Sequence, residues 1–501
     1  MNTFKVTRSI QVKISFVWRL LSTAECCHLG HSTINSLSDD VLLCIFDSYR
    51  RDSEWRPGPC AWPWDVLVHV CQRWRRIVFA FPGYLDLHLR CKSKTDVQAM
   101  LEIWPALPLH FHIILDSIKV DENDIIGTLE HRDRMAGINF QGFKRSQLEK
   151  CMALMQEPFP VLKSLELWAD EKMMFVITDT FLGGSAPLLQ TIGLHGIRFP
   201  SLPTFLSSTS DLVKLDLGHI SLTGEGHIPL DAMTTCLSLL TKLRSLTITV
   251  SRKTPSPYPK DQRPPTLTHT VLPSLVDLCL EGPHGYLEDL VDRIDVPLLT
   301  SGNLHFYDVP MFDTPRVPQF IHRTEMFKLV REIEVHVRRG YTYSTPGIDA
   351  SFHSSIGPAK VFLSFPHAEF PAQCAIMERI CAQWPPLVSH IEVLNLYDNF
   401  SPLSKWLEEV MTAPWRPFLR PFTAVQTLRL HARTGVPPHV AYMLGKLDGR
   451  SATEMLPALH TIELDCSEGN VSEALRLFRP FLLARKESEC PVVALVSSRR
   501  F

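Results

Sequence analysis

A short phrase, hydrophobic-x-x-hydrophobic-x-hydrophobic, recurs along most of this chain and constrains its fold more than any other feature. Full copies are Leu162, Leu165, Leu167; Leu189, Ile192, Leu194; Leu212, Leu215, Leu217; Leu243, Leu246, Ile248; Leu275, Leu278, Leu280; Val330, Ile333, Val335; Ile391, Leu394, Leu396; Val425, Leu428, Leu430; and Leu459, Ile462, Leu464. Weaker copies are Met135, Ile138, Phe140; Leu299, Gly302, Leu304; and Lys360, Leu363, Phe365. The middle positions run from 138 to 462 in steps of 23 to 34 residues. A period of this size means a solenoid, in which no unit buries its own strand face and each leans on its neighbours. Helical stretches between phrases are expected at 144–156, 287–294, 370–384, 403–411 and 471–485, and a last strand at 492–496.

One strand and one helix per unit resembles the leucine-rich-repeat proteins over about three quarters of the chain. The resemblance implies an α/β fold, an irregular leucine-rich-repeat-like solenoid (a horseshoe) over 135–501. The chain departs from the family by lacking the Asn that follows the strand phrase. Asp170, Ile197, Ile220 and Pro283 stand there instead, although Asn399 fits. Two segments interrupt the array: 251–270, with five prolines, and 340–358, rich in Gly, Ser, Thr and Tyr; both are expected to be surface loops.

Ahead of the repeats, residues 34–90 have the pattern of a small helical module. Ser38 suits a helix N-cap, Asp39 and Asp40 suit the positive end of the dipole, and Leu37 and Leu42 sit at staple spacing. Val41, Leu42, Ile45, Phe46 and Tyr49 then form one apolar stripe. A second helix is expected from Trp64 to Cys71, and a third, carrying Trp74, Ile77, Val78 and Phe81, stops before Pro82 and Gly83. These residues resemble the F-box, whose pattern is matched in order by Leu37, Asp40, Val41, Leu42, Ile45, Phe46, Val70, Cys71, Trp74 and Arg75. Ser38 replaces the usual proline, and the spacer from Tyr49 to Asp65 is long and rich in Trp and Pro. The resemblance implies a three-helix module whose Leu37, Asp40, Val41, Leu42, Ile45, Phe46, Val70, Cys71 and Trp74 bind a Skp-type adaptor and, through it, a cullin.

Composition excludes several other classes. With 51 basic and 53 acidic residues the chain has no electrostatic footprint for nucleic acid, and no apolar run reaches the roughly 20 residues of a membrane span. Thirteen cysteines without a regular framework suit a reducing compartment, cytoplasmic or nuclear, with most packed as small apolar residues. Cys26, Cys27, His28 and His31 lack a second ligand pair at zinc-finger spacing, so no metal site and no cofactor is expected. Residues 1–33 read as a disordered leader, and 91–134 as a transition or capping region. No phosphate loop, nucleophile elbow or metalloprotease motif is present, and Gly224, Glu225 and Gly226 mark a turn. The histidines beside the phrases, His195, His219, His305, His336 and His431, come from different units.

The expectation is a non-catalytic substrate receptor of an SCF-type (Skp–cullin–F-box) ubiquitin ligase, with an F-box repeat scaffold outside any ligase as the alternative. Strand alternation places the residues between phrase hydrophobics on the open face of the sheet. Glu166, Trp168, His195, Lys214, Asp216, Asp277, Glu281, Glu332, Glu334, Tyr397, Arg429, Glu463 and Asp465 are such residues, and Trp168, His195, Tyr397, Arg429, Glu463 and Asp465 are the expected contacts to a protein target. Acids dominate the later units, so a basic target segment is expected there.

Overall fold

The computed structural model describes residues 34–54, 63–91, 97–114, 122–170, 175–223, 227–252, 269–307, 316–338, 347–354, 360–366, 375, 378–379, 381–382, 388–398, 415–431, 439–447, 449–465 and 471–497. The leader with Cys26, Cys27, His28 and His31, the turn at 224–226, most of 251–270, the stretch 403–411 and Asn399 lie outside them. The chain divides into two compact units, Met1–His112 with Arg134–Ala136 and Ile113–Asp133 with Gly137–Phe501.

In the first unit, helices α1 (Asp39–Glu54), α2 (Pro63–Val68) and α3 (Gln72–Ala80) precede β1 (Leu89–Cys91), α4 (Val97–Ile103) and β2 (Leu109–Ile114, to His112 in this unit). Ser38 Oγ accepts from the Val41 amide at 3.4 Å, a long cap, while Asp39 and Asp40 occupy the first turn. The helix continues to Glu54, well into the spacer. Cys71 caps α3, its Sγ accepting from the Trp74 amide at 3.5 Å. The three helices close on Leu42, Phe46, Leu67, Val68, Trp74, Ile77 and Val78, with the Phe46 and Trp74 rings 4.8 Å apart. Arg73 binds α3 to the start of α1, donating to the Leu37 carbonyl and to Asp39 Oδ1, each at 2.6 Å. Within the stretch 91–134, β2 pairs in parallel with β1, Leu89 opposite Leu109.

Asp47 titrates within this helical module. A hydrogen bond from Arg51, opposed by burial and aided by Arg50, holds its carboxyl below the ordinary 3.8. A depressed folded-state pKa stabilises above the unfolded value and loses that contribution as pH falls through the folded one. Asp47→Asn should therefore lower the melting temperature at neutral pH, with the difference from the parent shrinking as the pH falls through the lowered folded-state pKa. Melts from pH 7 to pH 2 check this, and a pH-independent difference refutes it.

The second unit carries β3 (Met135–Gln141, from Gly137 in this unit), β4 (Ser164–Trp168), β5 (Phe175–Val176), β6 (Thr191–His195), β7 (Ile197–Arg198), β8 (Lys214–Ile220) and β9 (Ser245–Val250). It continues with β10 (Thr270–Val271), β11 (Asp277–Gly282), β12 (Ile294–Asp295), β13 (Ser301–Phe306), β14 (Val330–Arg338), β15 (Gly347–Ser354) and β16 (Lys360–Pro366). The last strands are β17 (Val393–Asp398), β18 (Thr427–His431), β19 (Thr461–Asp465) and β20 (Val493–Ser497). Apart from the small pairs β5–β7 and β10–β12, these join one large, mainly parallel sheet in a mixed α/β arrangement.

The phrase explains the register. Ile138, Leu165, Ile192, Leu215, Leu246, Leu278 and Gly302 lie opposite one another on successive strands. Ile333, Leu394, Leu428 and Ile462 do so again. The first hydrophobic of a phrase sits in a turn: Leu189, Leu212, Leu243 and Leu459 each donate their N–H to the carbonyl three residues earlier. The other two alternate inward along the strand, so a slip of one residue would turn both outward.

The sheet departs from simple succession once. Its order runs β11-β13-β16-β15-β14-β17, because β14, β15 and β16 form an antiparallel meander, whereas the repeat pattern placed the 330 phrase directly after the 299 phrase. The expected loop 340–358 thus contains a strand, whose Ile348, Ala350 and Phe352 are buried. The 360 phrase also shifts: Val361, not Leu363, stands opposite Gly302. With three strands in the meander, both of its ends run parallel to their neighbours, β16 beside β13 and β14 beside β17.

Helices α5 (Glu122–Leu129), α6 (Arg145–Leu154), α7 (Leu202–Leu206), α8 (Leu230–Leu239), α9 (His284–Asp292), α10 (Arg316–Arg323), α11 (Trp415–Leu419), α12 (His439–Gly445), α13 (Gly449–Glu454) and α14 (Val471–Glu487) fill intervals between strands. The described cysteines are free thiols, and burial pushes Cys91 up to about 11 and Cys236 up to about 12, leaving neither ionised near neutral pH.

Candidate functional site

Two surfaces carry the residues singled out in the sequence, one in each unit. On the helical module, α1 presents its apolar residues in two directions. Leu42 and Phe46 are wholly buried and Trp74 nearly so, all three spent in the module's own core. Val41 is 44% exposed and Val70 45%, with Asp40 and Cys71 also exposed and Leu37 and Ile45 half-buried. Val41 and Ile45 stand one turn apart on α1, and Leu37 lies in the bend just before it, so the three are accessible apolar residues around the start of the helix. Of the nine residues expected to meet an adaptor, six remain accessible, and these three are their apolar centre. Arg73, which ties the helices together there, was not legible because its partners lie a whole helix away.

The second surface is the face of the sheet opposite the phrase hydrophobics. In its early strands, Trp168 stacks on His195 with ring centroids 3.5 Å apart and planes 4° from parallel, across the β4–β6 pairing. His195 Nε2 lies 3.3 Å from Asp216 Oδ1 on β8. The His195 ring occupies space that Gly218 leaves open on β8, directly opposite: a Cβ at 218 would stand 1.9 Å from His195 Nδ1. Gly218 is thus a positioning residue for the Trp168–His195 pair, and nothing in its own neighbourhood of sequence announces it.

In the later strands, His336, Tyr397 and His431 share one register row on β14, β17 and β18. They stack face to face at 3.9 Å and 4.2 Å, and the row ends at Asp465, whose Oδ2 is 3.1 Å from His431 Nδ1. Beside it runs a row of fixed charges. Arg429 Nε donates to Glu463 at 2.6 Å and its Nη1 to Glu332 at 3.3 Å, while Asn395 Nδ2 donates to the same Glu332 oxygen at 2.6 Å. His353 Nε2 stands 3.2 Å from Glu334. Tyr397, Arg429, Glu463 and Asp465 are therefore gathered in one patch, while Trp168 and His195 form another. The remaining histidines stand apart: His305 faces Phe362 at 5.6 Å, and His219 sits in the left-handed region at φ 57°.

Between the two patches, Arg252 donates to Glu281 at 3.1 Å and lies over the Tyr307 ring at 4.7 Å. Burial, with the nearby Glu281 charge, pushes the Tyr307 phenol well above its ordinary value, and its hydroxyl donates to the Val250 carbonyl at 2.7 Å. These patches offer flat rings, a fork of guanidinium donors and carboxylates held at fixed spacing by the strands. Among the described residues, no group of three or more His, Cys, Asp or Glu is placed to hold a metal ion, and no helix is long and apolar enough to cross a membrane.

No family model matches the chain, and no curated protein matches it. Among solved structures, the chain is similar to one in the crystal structure of a TLR13–ssRNA13 complex, at 10% identity and a TM-score of 0.29, over 83% of this chain. It spans about half, 49%, of that structure's chain.

Proposed function

We propose that this protein is a non-catalytic substrate receptor of an SCF-type ubiquitin ligase, an F-box followed in sequence by a leucine-rich-repeat-like solenoid. The observation that carries the reading is the division of labour in α1. Leu42 and Phe46 close the three-helix core with Trp74, and Leu37, Val41 and Ile45 are left as accessible apolar residues that a partner can cover. The motif order of those residues matches the F-box, and a register-aligned sheet with a ring-bearing polar face follows in the chain. In this reading these residues bind a Skp-type adaptor and thereby a cullin, in the cytoplasm or nucleus. The ligase partners perform the ubiquitin transfer. The receptor contributes proximity, since a tethered target reaches an effective concentration on the order of millimolar at the conjugating enzyme.

The target lies on the sheet face, with Trp168 and Tyr397 as aromatic anchors. Glu332 and Glu463 pair with Arg429, while Glu334 faces His353 and Asp465 faces His431, a set of carboxylates that favours a basic target segment and a salt-sensitive complex. The test is adaptor capture by the full chain. Leu37→Ala with Ile45→Ala should cut it by at least about tenfold, the loss of a few kcal/mol at an interface centre, while the circular dichroism of the chain is unchanged. Undiminished capture sinks the F-box assignment. Capture of adaptor without cullin by the parent chain would place the protein outside a ligase.

A further inference from the structure

Trp168 is clamped on one face and open on the other. Its stack on His195 covers the side of the indole that looks along the sheet to β6. His195 is itself 9% exposed, lodged where Gly218 leaves room, with Nε2 at Asp216. The indole therefore cannot turn without unseating a buried ring, yet it is 39% exposed, and His195 is its one ring contact among the described residues. Rings that stack across neighbouring strands have their faces along the sheet, so the free face of Trp168 looks back to β3, which pairs with β4 on the other side.

The groups beside that face are acceptors. Gln141 follows Phe140, the partner of Leu167, and so comes next in register toward Trp168. Its side chain leans back along its own strand, Nε2 donating to Asn139 Oδ1 at 3.1 Å, and Asn139 Nδ2 donates in turn to Glu166 Oε2 at 2.6 Å. The ionised carboxylate sets this direction: Glu166 can only accept, so Asn139 turns its nitrogen to it and its oxygen to Gln141. Gln141 Oε1 and Glu166 Oε1 are left without a donor among the described residues. Glu166 and Trp168 are two apart on β4 and point to the same face, roughly 6.6 Å from each other. Lys214, a cation on that face, stands on β8, two strands away on the far side of His195.

A fixed π face beside two acceptors, one of them charged, selects its occupant. A neutral ring would cover the indole and leave both acceptors unpaired, and an anion would meet Glu166. An ammonium satisfies the carboxylate or sits on the ring as a point charge. A guanidinium does both, since it carries donors only, lies flat on an indole, and presents its edge N–H groups to a carboxylate in the same plane. We infer that the open face of Trp168 binds an arginine side chain of the protein target, held between the indole and Glu166. The inference rests on the proposed use of the sheet face to hold a target, and it names what the early strands of that face read.

The experiment titrates the full chain, with nitrogen-15 in its tryptophans, with N-acetyl-arginine amide, N-acetyl-citrulline amide and N-acetyl-lysine amide at constant ionic strength. The chain has ten tryptophans, and the Trp168 indole signal is the one that Trp168→Phe removes. Arginine should shift that signal saturably, with a Kd on the order of 10 mM for the isolated residue. Citrulline, the same shape without the charge, should bind at least about tenfold more weakly, a loss of about 1.4 kcal/mol, and lysine should fall between the two. Glu166→Gln should bring arginine to the citrulline value; Gln still accepts from Asn139, so the melting curve should stay in place. Equal shifts from arginine and citrulline, lysine as tight as arginine, or an arginine titration unchanged by Glu166→Gln overturns the inference, as does an arginine Kd weaker than about 100 mM. Adaptor capture by the same preparation tests the receptor reading separately, because Leu37 and Ile45 belong to the other unit. A chain that captures adaptor and ignores arginine refutes this inference alone.

Discussion

Arg485→Ala is expected to release α14 from its seat while the strands from β4 to β13 keep their amide protection. The guanidinium is 1% exposed and lies under the chain that connects α13 to β19. Its Nη2 donates to the Leu459 carbonyl at 2.8 Å and to that of Pro457 at 3.4 Å, and its Nη1 reaches the carbonyls of Ala452 at 3.5 Å and Thr453 at 3.4 Å. Burial pulls its pKa down from the ordinary arginine value, yet an arginine remains charged in any protein interior, so these carbonyls carry a buried cation. Truncation to Ala removes the donors, strands the carbonyls and leaves a cavity, for a cost of about 3–5 kcal/mol. Arg485→Met tests what the charge itself contributes. Only one of the four contacts is short, and Nε has no partner, so a side chain of similar volume should recover all but about 1–2 kcal/mol, as apolar replacements of buried ions commonly do. Hydrogen exchange on α14, β19 and β20 reads both variants. If Ala and Met open these elements equally, volume is irrelevant and the guanidinium hydrogen bonds are the whole of the restraint; if neither opens them, Arg485 is not what seats the helix.

The sheet was legible because its signal is periodic. Each phrase carries its turn residue and its two inward residues at fixed spacing, and the strands align on the middle one from Ile138 to Gly302 and again from Ile333 to Ile462. The meander was hidden for the opposite reason. In β15 the inward residues Ile348, Ala350 and Phe352 do alternate, but they lie in a Gly, Ser and Thr background that local composition assigns to a loop, and Ala350 adds little hydrophobic signal. The polar patches were legible as positions and not as contacts. Alternation puts Tyr397, Arg429 and Asp465 on one face, whereas the stacking of Tyr397 between His336 and His431 depends on which strands become neighbours. Gly218 is the extreme case, since its whole role is the room it leaves for a ring on another strand. On α1 a helical stripe says that Val41, Leu42, Ile45 and Phe46 share a side. It does not say that Trp74 arrives at Phe46 and leaves Val41 uncovered.

Phe352→Ala should divide the unfolding of the second unit into two steps. Phe352 is 2% exposed at the middle of the antiparallel meander, opposite Ile333 on β14 and Val361 on β16. Those two strands in turn pair with β17 and β13, so every backbone route in the sheet from the early parallel strands to the late ones passes through β15. Removing the ring costs about 3–5 kcal/mol in transfer and cavity terms. Stability in stacked arrays is a sum of units and nearest-neighbour interfaces, so weakening one interior interface uncouples what lies on either side of it. The parent is expected to lose β8–β9 and β18–β19 amide protection together in denaturant; the variant should lose them at separate concentrations. Phe352→Leu, which keeps most of the volume, should retain one step with a midpoint between the two. A single transition in Phe352→Ala, displaced without broadening, would mean that coupling across the meander runs through the flanking helices and not through the strand.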